Sequence, residues 1–409
     1  MDVWQQRTAD DPALARQLRS LLDRGFLSDA HPHVVVHDLG KMSRRTEVLK
    51  SVFCPGTLHT VAIKANPLLG VLKRLVDQGL GLEAASAGEI ELALAAGCPT
   101  HKIVFDSPAK TRPELRRAHA MGCLINANSE AELERLVALG RSCSGYLGVR
   151  CNPGLVEESR ESTTMVATPN SKFGVPIERL PDLLERFPTV NGLHIHVGSQ
   201  VATASDLLQA AQKLVEVADR FPNIEWLDIG GGLPTRYREG DPGLCPGEYW
   251  SLLRQHIPSI ANYRLITENG RSLQAGCGWA ASRVEYVEEG RMIVHFGADF
   301  ALRECYQSDS WWHEMELLTS RGLPKSGELS ALDIYGPLCF SGDRLASKRL
   351  LPKPDPGDIF LLHDCGAYTL SMWSRYCSRS MPGIVGLDGD EVVLLKAPES
   401  AGALVDFWS

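Results

Sequence analysis

From about residue 60 to 270 the chain alternates short apolar runs with segments of helical period, and few folds accept that repeat. The runs lie at residues 61–63, 81–85, 103–105, 123–126, 146–149, 192–197, 224–229 and 263–267. Most are followed by a stretch rich in Ala, Glu and Leu that closes at Gly or near Pro, as a helix does. Strands joined through crossover helices run parallel, and eight of them predict a closed (β/α)8 barrel. Functional residues are then expected at the carboxyl ends of the strands.

Near residue 280 the pattern changes. Runs at 282–288, 291–296, 328–334, 358–362 and 391–396 follow one another with loops between, which predicts an antiparallel β-barrel or sandwich. The early run His33-Val34-Val35-Val36 either opens the barrel or joins the β domain. The expected boundaries are 38–275 for the α/β barrel and 276–409, with 1–37 contributing, for the β domain. The first 30 residues have no assigned role.

Composition narrows the task. The 409 residues carry 42 Lys+Arg against 50 Asp+Glu, a net −8 with no basic run, so nucleic-acid binding is not expected. No window reaches the roughly 18 apolar residues of a membrane span. The polar start, Met1 to Arg7, lacks the apolar core of a secretory signal. Eleven scattered cysteines without a C-x-x-C pair read as reduced thiols, so a cytoplasmic location is expected.

Six segments carry candidate chemistry. Lys64, ending the apolar run Val61-Ala62-Ile63, is either a desolvated amine nucleophile or a lysine snorkelling to solvent. His194 and His196 share one strand face, where they read as a cofactor-stacking ring, a metal pair or core histidines; no further ligand of convincing spacing supports a metal. Gly230-Gly231-Gly232 directly follows a strand, and three exposed N–H groups would suit a phosphate. Glu268 and Arg271 close the last strand, as half of a surface pair or as partners for a protonated ring nitrogen and an oxyanion. Cys339 is either an inert thiol or an acid at a site, and the hydroxyls of residues 366–372 are equally ambiguous.

Taken in order, the segments VAIKAN, EAASAGEI, SKFG, HIHVGSQ, DIGGG, ENGR, GPLCFSGD and GAYTLSM resemble the fold-type III pyridoxal-phosphate decarboxylases of basic amino acids. The resemblance runs from about residue 33 to 380. It implies an alanine-racemase-like barrel with a β domain, a homodimer with shared active sites, and decarboxylation of an amino acid. Lys64 is implied to carry the cofactor on its amine, His196 to stack on the ring and Glu268 to hold the ring nitrogen protonated. Ser199, Gly230, Gly231, Gly232, Gly270, Arg271 and Tyr368 are implied around the phosphate or neighbouring substrate groups. Cys339 is implied to protonate the carbanion from the second subunit, and Lys172 and Asp343 to bridge the subunits. Arg303, Tyr306 and Phe340 fall in the substrate region.

Departures from that pattern concern the substrate. Diaminopimelate decarboxylases usually carry Glu after the catalytic Cys, where it meets the distal amino group; here that residue is Phe340. Burying a cation there without its carboxylate would cost several kcal/mol, by order of magnitude. The family's R-P-x-x-Y segment reads Arg303-Glu304-Cys305-Tyr306, one residue short, although Arg303 still suits a distal carboxylate. A relative with altered specificity is therefore expected. Competing readings are a metal-dependent barrel hydrolase on His194 and His196, a non-catalytic regulatory relative, and, as a minor option, a racemase.

Overall fold

The structure is a computed structural model that describes residues 4, 12–155, 164–201, 203–238 and 240–409. Of the polar start, only Trp4 lies among the described residues. The chain divides into two compact units: residues 43–235 with 242–273, and residues 1–42 with 236–241 and 274–409.

Strand β1 (His33–Asp38) resolves the early ambiguity, because it pairs with strands of the second group and not with the barrel. The barrel strands are β2 (Leu58–Ala62), β3 (Gly81–Ala84), β4 (Ile103–Phe105), β5 (Leu124–Ala127) and β6 (Gly148–Asn152). A two-residue β7 (Val175–Pro176) hangs on β6. Then come β8 (Gly192–Ile195), β9 (Trp226–Asp228) and β10 (Arg264–Asn269). The hydrogen-bonded order β5-β4-β3-β2-β10-β9-β8-β6 returns to β5, so eight parallel strands close a ring. Each predicted run falls on one of these strands. Helix ends obey local rules: Thr111 and Glu114 form a capping box at the start of Arg112–Met121, and left-handed Gly122 ends it.

The second unit is a nine-stranded sheet. It holds β11 (Gly278–Glu288), β12 (Arg291–Val294), β13 (Met315–Leu318), β14 (Leu329–Tyr335), β15 (Arg344–Pro352), β16 (Ile359–Leu362), β17 (Gly383–Asp388) and β18 (Glu391–Lys396), together with β1. Most pairings are antiparallel, as predicted. The exceptions are β1 with β17 and β12 with β14, which are parallel and make the sheet mixed. The helix Pro12–Asp23 gives the unassigned N-terminal stretch a purpose. Its Leu14, Leu18 and Leu21, spaced on one helical face, pack with Val34, Val36, Trp279, Ile359 and Val385 into a dry core.

Candidate active site

The carboxyl ends of the barrel strands gather the titratable residues. Lys64 lies in the 3₁₀ turn Ile63–Ala65 that follows β2, with its side chain partly open to solvent. Its amine is ion-paired with Glu83 at the end of β3. Glu83 is fully buried; burial is the largest influence on its carboxyl, which is pushed up to about 8 against the pull of Lys64. The Ala-Ile run thus ends on a lysine held by a carboxylate that is ready to share its proton.

His194 and His196 share a strand face and yet are shifted in opposite directions. His194 is wholly buried, 3.4 Å from Glu268 Oε2 through Nε2 and 3.9 Å from Asp106 Oδ1 through Nδ1. Burial alone would neutralise it, but Asp106, Glu268 and Asp228 together raise it to about 9. His196 is lowered to about 3, first by burial and then by Arg150. Its Nδ1 accepts a 3.2 Å hydrogen bond from the Gly231 N–H, as only a neutral imidazole does. Asp106, His194 and Glu268 form a compact triad of metal-ligand types. Within the protein these groups already have partners: Asp106 pairs with Arg150, and His196 Nδ1 accepts from Gly231.

Glu268 ends β10 with Oε2 toward His194 and with Oε1 buried and lacking a hydrogen-bond partner. Burial is the largest influence and favours its neutral form, but the charge and hydrogen bond of His194, with help from His196, together hold the carboxyl below its ordinary range. A buried, ionised carboxylate with one idle oxygen is fitted to a protonated ring nitrogen. Arg150 completes the charge balance: it donates to Asp106 Oδ2 at 2.8 Å while its guanidinium covers the Phe173 ring at 4.3 Å.

The glycine turn works differently from its sequence reading. The Gly230 N–H donates to Asp228 Oδ1 and the Gly231 N–H to His196 Nδ1, so among the described residues only Gly232 keeps its N–H for a ligand. The run supplies clearance instead. A Cβ on Gly230 would stand 2.4 Å from the Ile195 carbonyl oxygen, one on Gly231 2.2 Å from that of Glu268, and one on Gly232 2.7 Å from that of Gly198. Gly230 and Gly232 also have φ of 62° and 104°. Beside the turn, Arg271 Nε donates to Ser199 Oγ at 3.0 Å, and Gly270 links β10 to the helix that begins at Arg271. An amine, a neutral ring, an idle carboxylate oxygen and a guanidinium beside a side-chain-free turn fit the aldehyde, ring, ring nitrogen and phosphate of pyridoxal phosphate.

The remaining predicted residues lie in the β unit, apart from Lys172. Cys339 is exposed, and Phe340 beside it stacks on Tyr306 with centroids 5.7 Å apart and meets Tyr376 edge-on at 5.8 Å. Arg303 covers the Trp311 ring at 4.5 Å and lies 5.5 Å from the centre of Tyr368. Lys172, on the barrel unit, is exposed. Asp343, expected at the subunit interface, is held first by its own chain. It is buried, and its two carboxylate oxygens accept from the Ala298 and Leu338 N–H groups, each at 2.6 Å. These two hydrogen bonds clamp the loop that carries Cys339. Sequence reasoning missed Glu83, Asp106 and Arg150; the available signal was a charged residue set within an apolar strand.

A parallel barrel with this site and a mixed β unit defines a pyridoxal-phosphate lyase. Residues 39–275 match the family model described as "Pyridoxal-dependent decarboxylase, pyridoxal binding domain", and the chain belongs to that family. Over most of its length it is similar to curated diaminopimelate decarboxylases. That of Pseudomonas aeruginosa is 32% identical, covering 85% of this chain and 86% of the relative. That of Streptomyces coelicolor is 31% identical, covering 84% and 82%. The crystal structure of Helicobacter pylori diaminopimelate decarboxylase complexed with L-lysine superposes with a TM-score of 0.83 at 25% identity, covering 92% of this chain and 95% of that one. The protein is therefore a pyridoxal-phosphate-dependent amino-acid decarboxylase, a carbon–carbon lyase. Among the described residues no helix is long and apolar enough to cross a membrane.

Proposed function

We propose that this chain releases the α-carboxylate of an amino acid whose distal end is not the free ammonium-bearing centre of meso-diaminopimelate. The carrying observation is Phe340. Its ring is packed between Tyr306 and Tyr376, and an aromatic wall next to Cys339 offers no carboxylate to an ammonium. Arg303, spread over Trp311, favours a distal carboxylate or another anion.

When bound, pyridoxal phosphate supplies an electron sink for the broken Cα–carboxylate bond. The chain does the rest. Lys64 carries the cofactor on its amine, and Glu83 takes the proton that the amine must lose to become a nucleophile. Neutral His196 offers its ring face. Glu268, kept ionised by His194, holds a proton on the ring nitrogen. Gly232, Ser199, Gly270, Arg271 and Tyr368 surround the phosphate and adjoining substrate groups, and Gly230 and Gly231 keep that space clear. Cys339, delivered from a second copy of the chain, returns a proton to the carbanion. This makes the working molecule a homodimer, with 38–275 as the cofactor domain and 276–409 plus 1–37 as the domain lending the thiol. The eleven free cysteines support a cytoplasmic, reducing location.

Phe340→Glu tests the specificity. Restoring the carboxylate should raise kcat/KM for meso-diaminopimelate at least about tenfold, the equivalent of one charge-assisted hydrogen bond. No gain would remove Phe340 as the determinant.

A further inference from the structure

Eleven thiols are free in this chain, and three of them are exposed: Cys143, Cys339 and Cys377. Two of the three meet. The Cys339 and Cys377 thiols hydrogen-bond to one another with neither shielded from solvent. The contact between their segments is wider than the sulfurs, because the next ring on one side, Phe340, packs edge-on against the preceding ring on the other, Tyr376. Cys377 sits in a left-handed turn at φ 57°, in the segment that precedes β17, while Cys339 lies on the loop clamped by Asp343. Cys143 has a different setting. Its sulfur faces the Ala120 carbonyl, and its neighbour Cys123 is buried, with a thiol pushed up to about 11.

We propose that Cys339 and Cys377 are a redox-active dithiol, which a peroxide closes to a disulfide and a small-molecule thiol reopens. One sulfur, as thiolate, attacks a peroxide oxygen; the O–O bond breaks and a sulfenic acid forms as hydroxide leaves and takes up the proton. The second thiol attacks that sulfur, the S–O bond breaks and water leaves. In sum two thiols and one hydrogen peroxide give one disulfide and two waters, with two electrons passing from sulfur to oxygen. The reverse uses two equivalents of a thiol reductant through a mixed disulfide. Formation of the bond rests on the meeting of the two exposed thiols and on the ring contact beside them. Its effect on turnover rests on the reading of Cys339 as the proton donor, because a disulfide sulfur has no proton to give.

The test treats the full-length holoenzyme with equimolar hydrogen peroxide, alkylates the remaining thiols, and maps the peptides by mass spectrometry beside CO2 release. The expected result is a Cys339–Cys377 cross-linked peptide lighter by two hydrogens, alkylated Cys143, and a loss of product formation of at least tenfold that dithiothreitol reverses. Cys377→Ser should give no cross-link, with Cys339 recovered alkylated or singly oxidised. Recovery of Cys339 and Cys377 on separate peptides, alkylated or singly oxidised, would overturn the proposal. A cross-link that leaves turnover intact would uphold the dithiol and instead strike Cys339 from the decarboxylation.

Discussion

His194 owes its charge to three carboxylates, and that charge has a pH signature. Its ordinary value of 6.5 is raised to about 9 in the folded chain, so its stabilisation is complete below about 6.5 and disappears as pH climbs through about 9. The amount is on the order of 3 kcal/mol. Chemical denaturation of the wild type should show stability falling across that interval, and His194→Gln should flatten the fall; parallel curves would refute a cationic His194. The variant itself should be less stable by about 3–5 kcal/mol, because Glu268 and Asp106 lose their shared cation. Lys64→Ala should abolish CO2 release and leave any bound cofactor unlinked, seen as loss of the borohydride-fixed adduct by mass spectrometry. Normal turnover in that variant would dismiss Lys64. Lys64, His196 and Glu268 were legible because each sits at the end of a short apolar run. Glu83 and Asp106 were not, because a lone acid at the end of an apolar run has no partner visible in the sequence, and Lys64 and Arg150 meet them only once the strands are assembled.

At the level of elements, the barrel was readable almost strand for strand, since each run is bounded by its own helix and Gly. The β unit was less so. Strands β13, β15 and β17 escaped notice because the first has four residues, the second reads Arg-Leu-Ala-Ser-Lys without a clean alternation, and the third is broken by Gly383 and Gly386. That β1 joins this unit was one of the two expected outcomes, but its parallel pairing with β17 was not legible, as partners so distant along the chain leave no local trace. The glycine turn was located by sequence but misjudged in action: its tightness comes from carbonyl oxygens packed behind it. Gly231→Ala, whose methyl would meet the Glu268 carbonyl oxygen at 2.2 Å, should therefore displace the end of β10 and cut cofactor retention in dialysis by at least about tenfold, or 1.4 kcal/mol. Full retention would show that the turn tolerates bulk. Asp343→Ala, which strands two buried N–H groups, should lower stability by on the order of 3 kcal/mol in urea titration.

For the whole molecule, the decisive residues lie in different compact units: Lys64 and Glu268 in the barrel, Cys339 and Phe340 in the β unit. If two copies share each site, mixing the inactive variants Lys64→Ala and Cys339→Ala restores one intact site in each mixed dimer, about a quarter of wild-type activity at random assembly. No recovery would mean that Cys339 serves its own chain. The central claim concerns which amino acid gives up its carboxylate, and CO2 release from the purified holoenzyme measures that directly. Offered a panel of L- and D-amino acids, carboxylated diamines and meso-diaminopimelate, the enzyme should show its highest kcat/KM on a member that bears a distal carboxylate or another anion and no distal ammonium. Fastest turnover of meso-diaminopimelate would contradict the account.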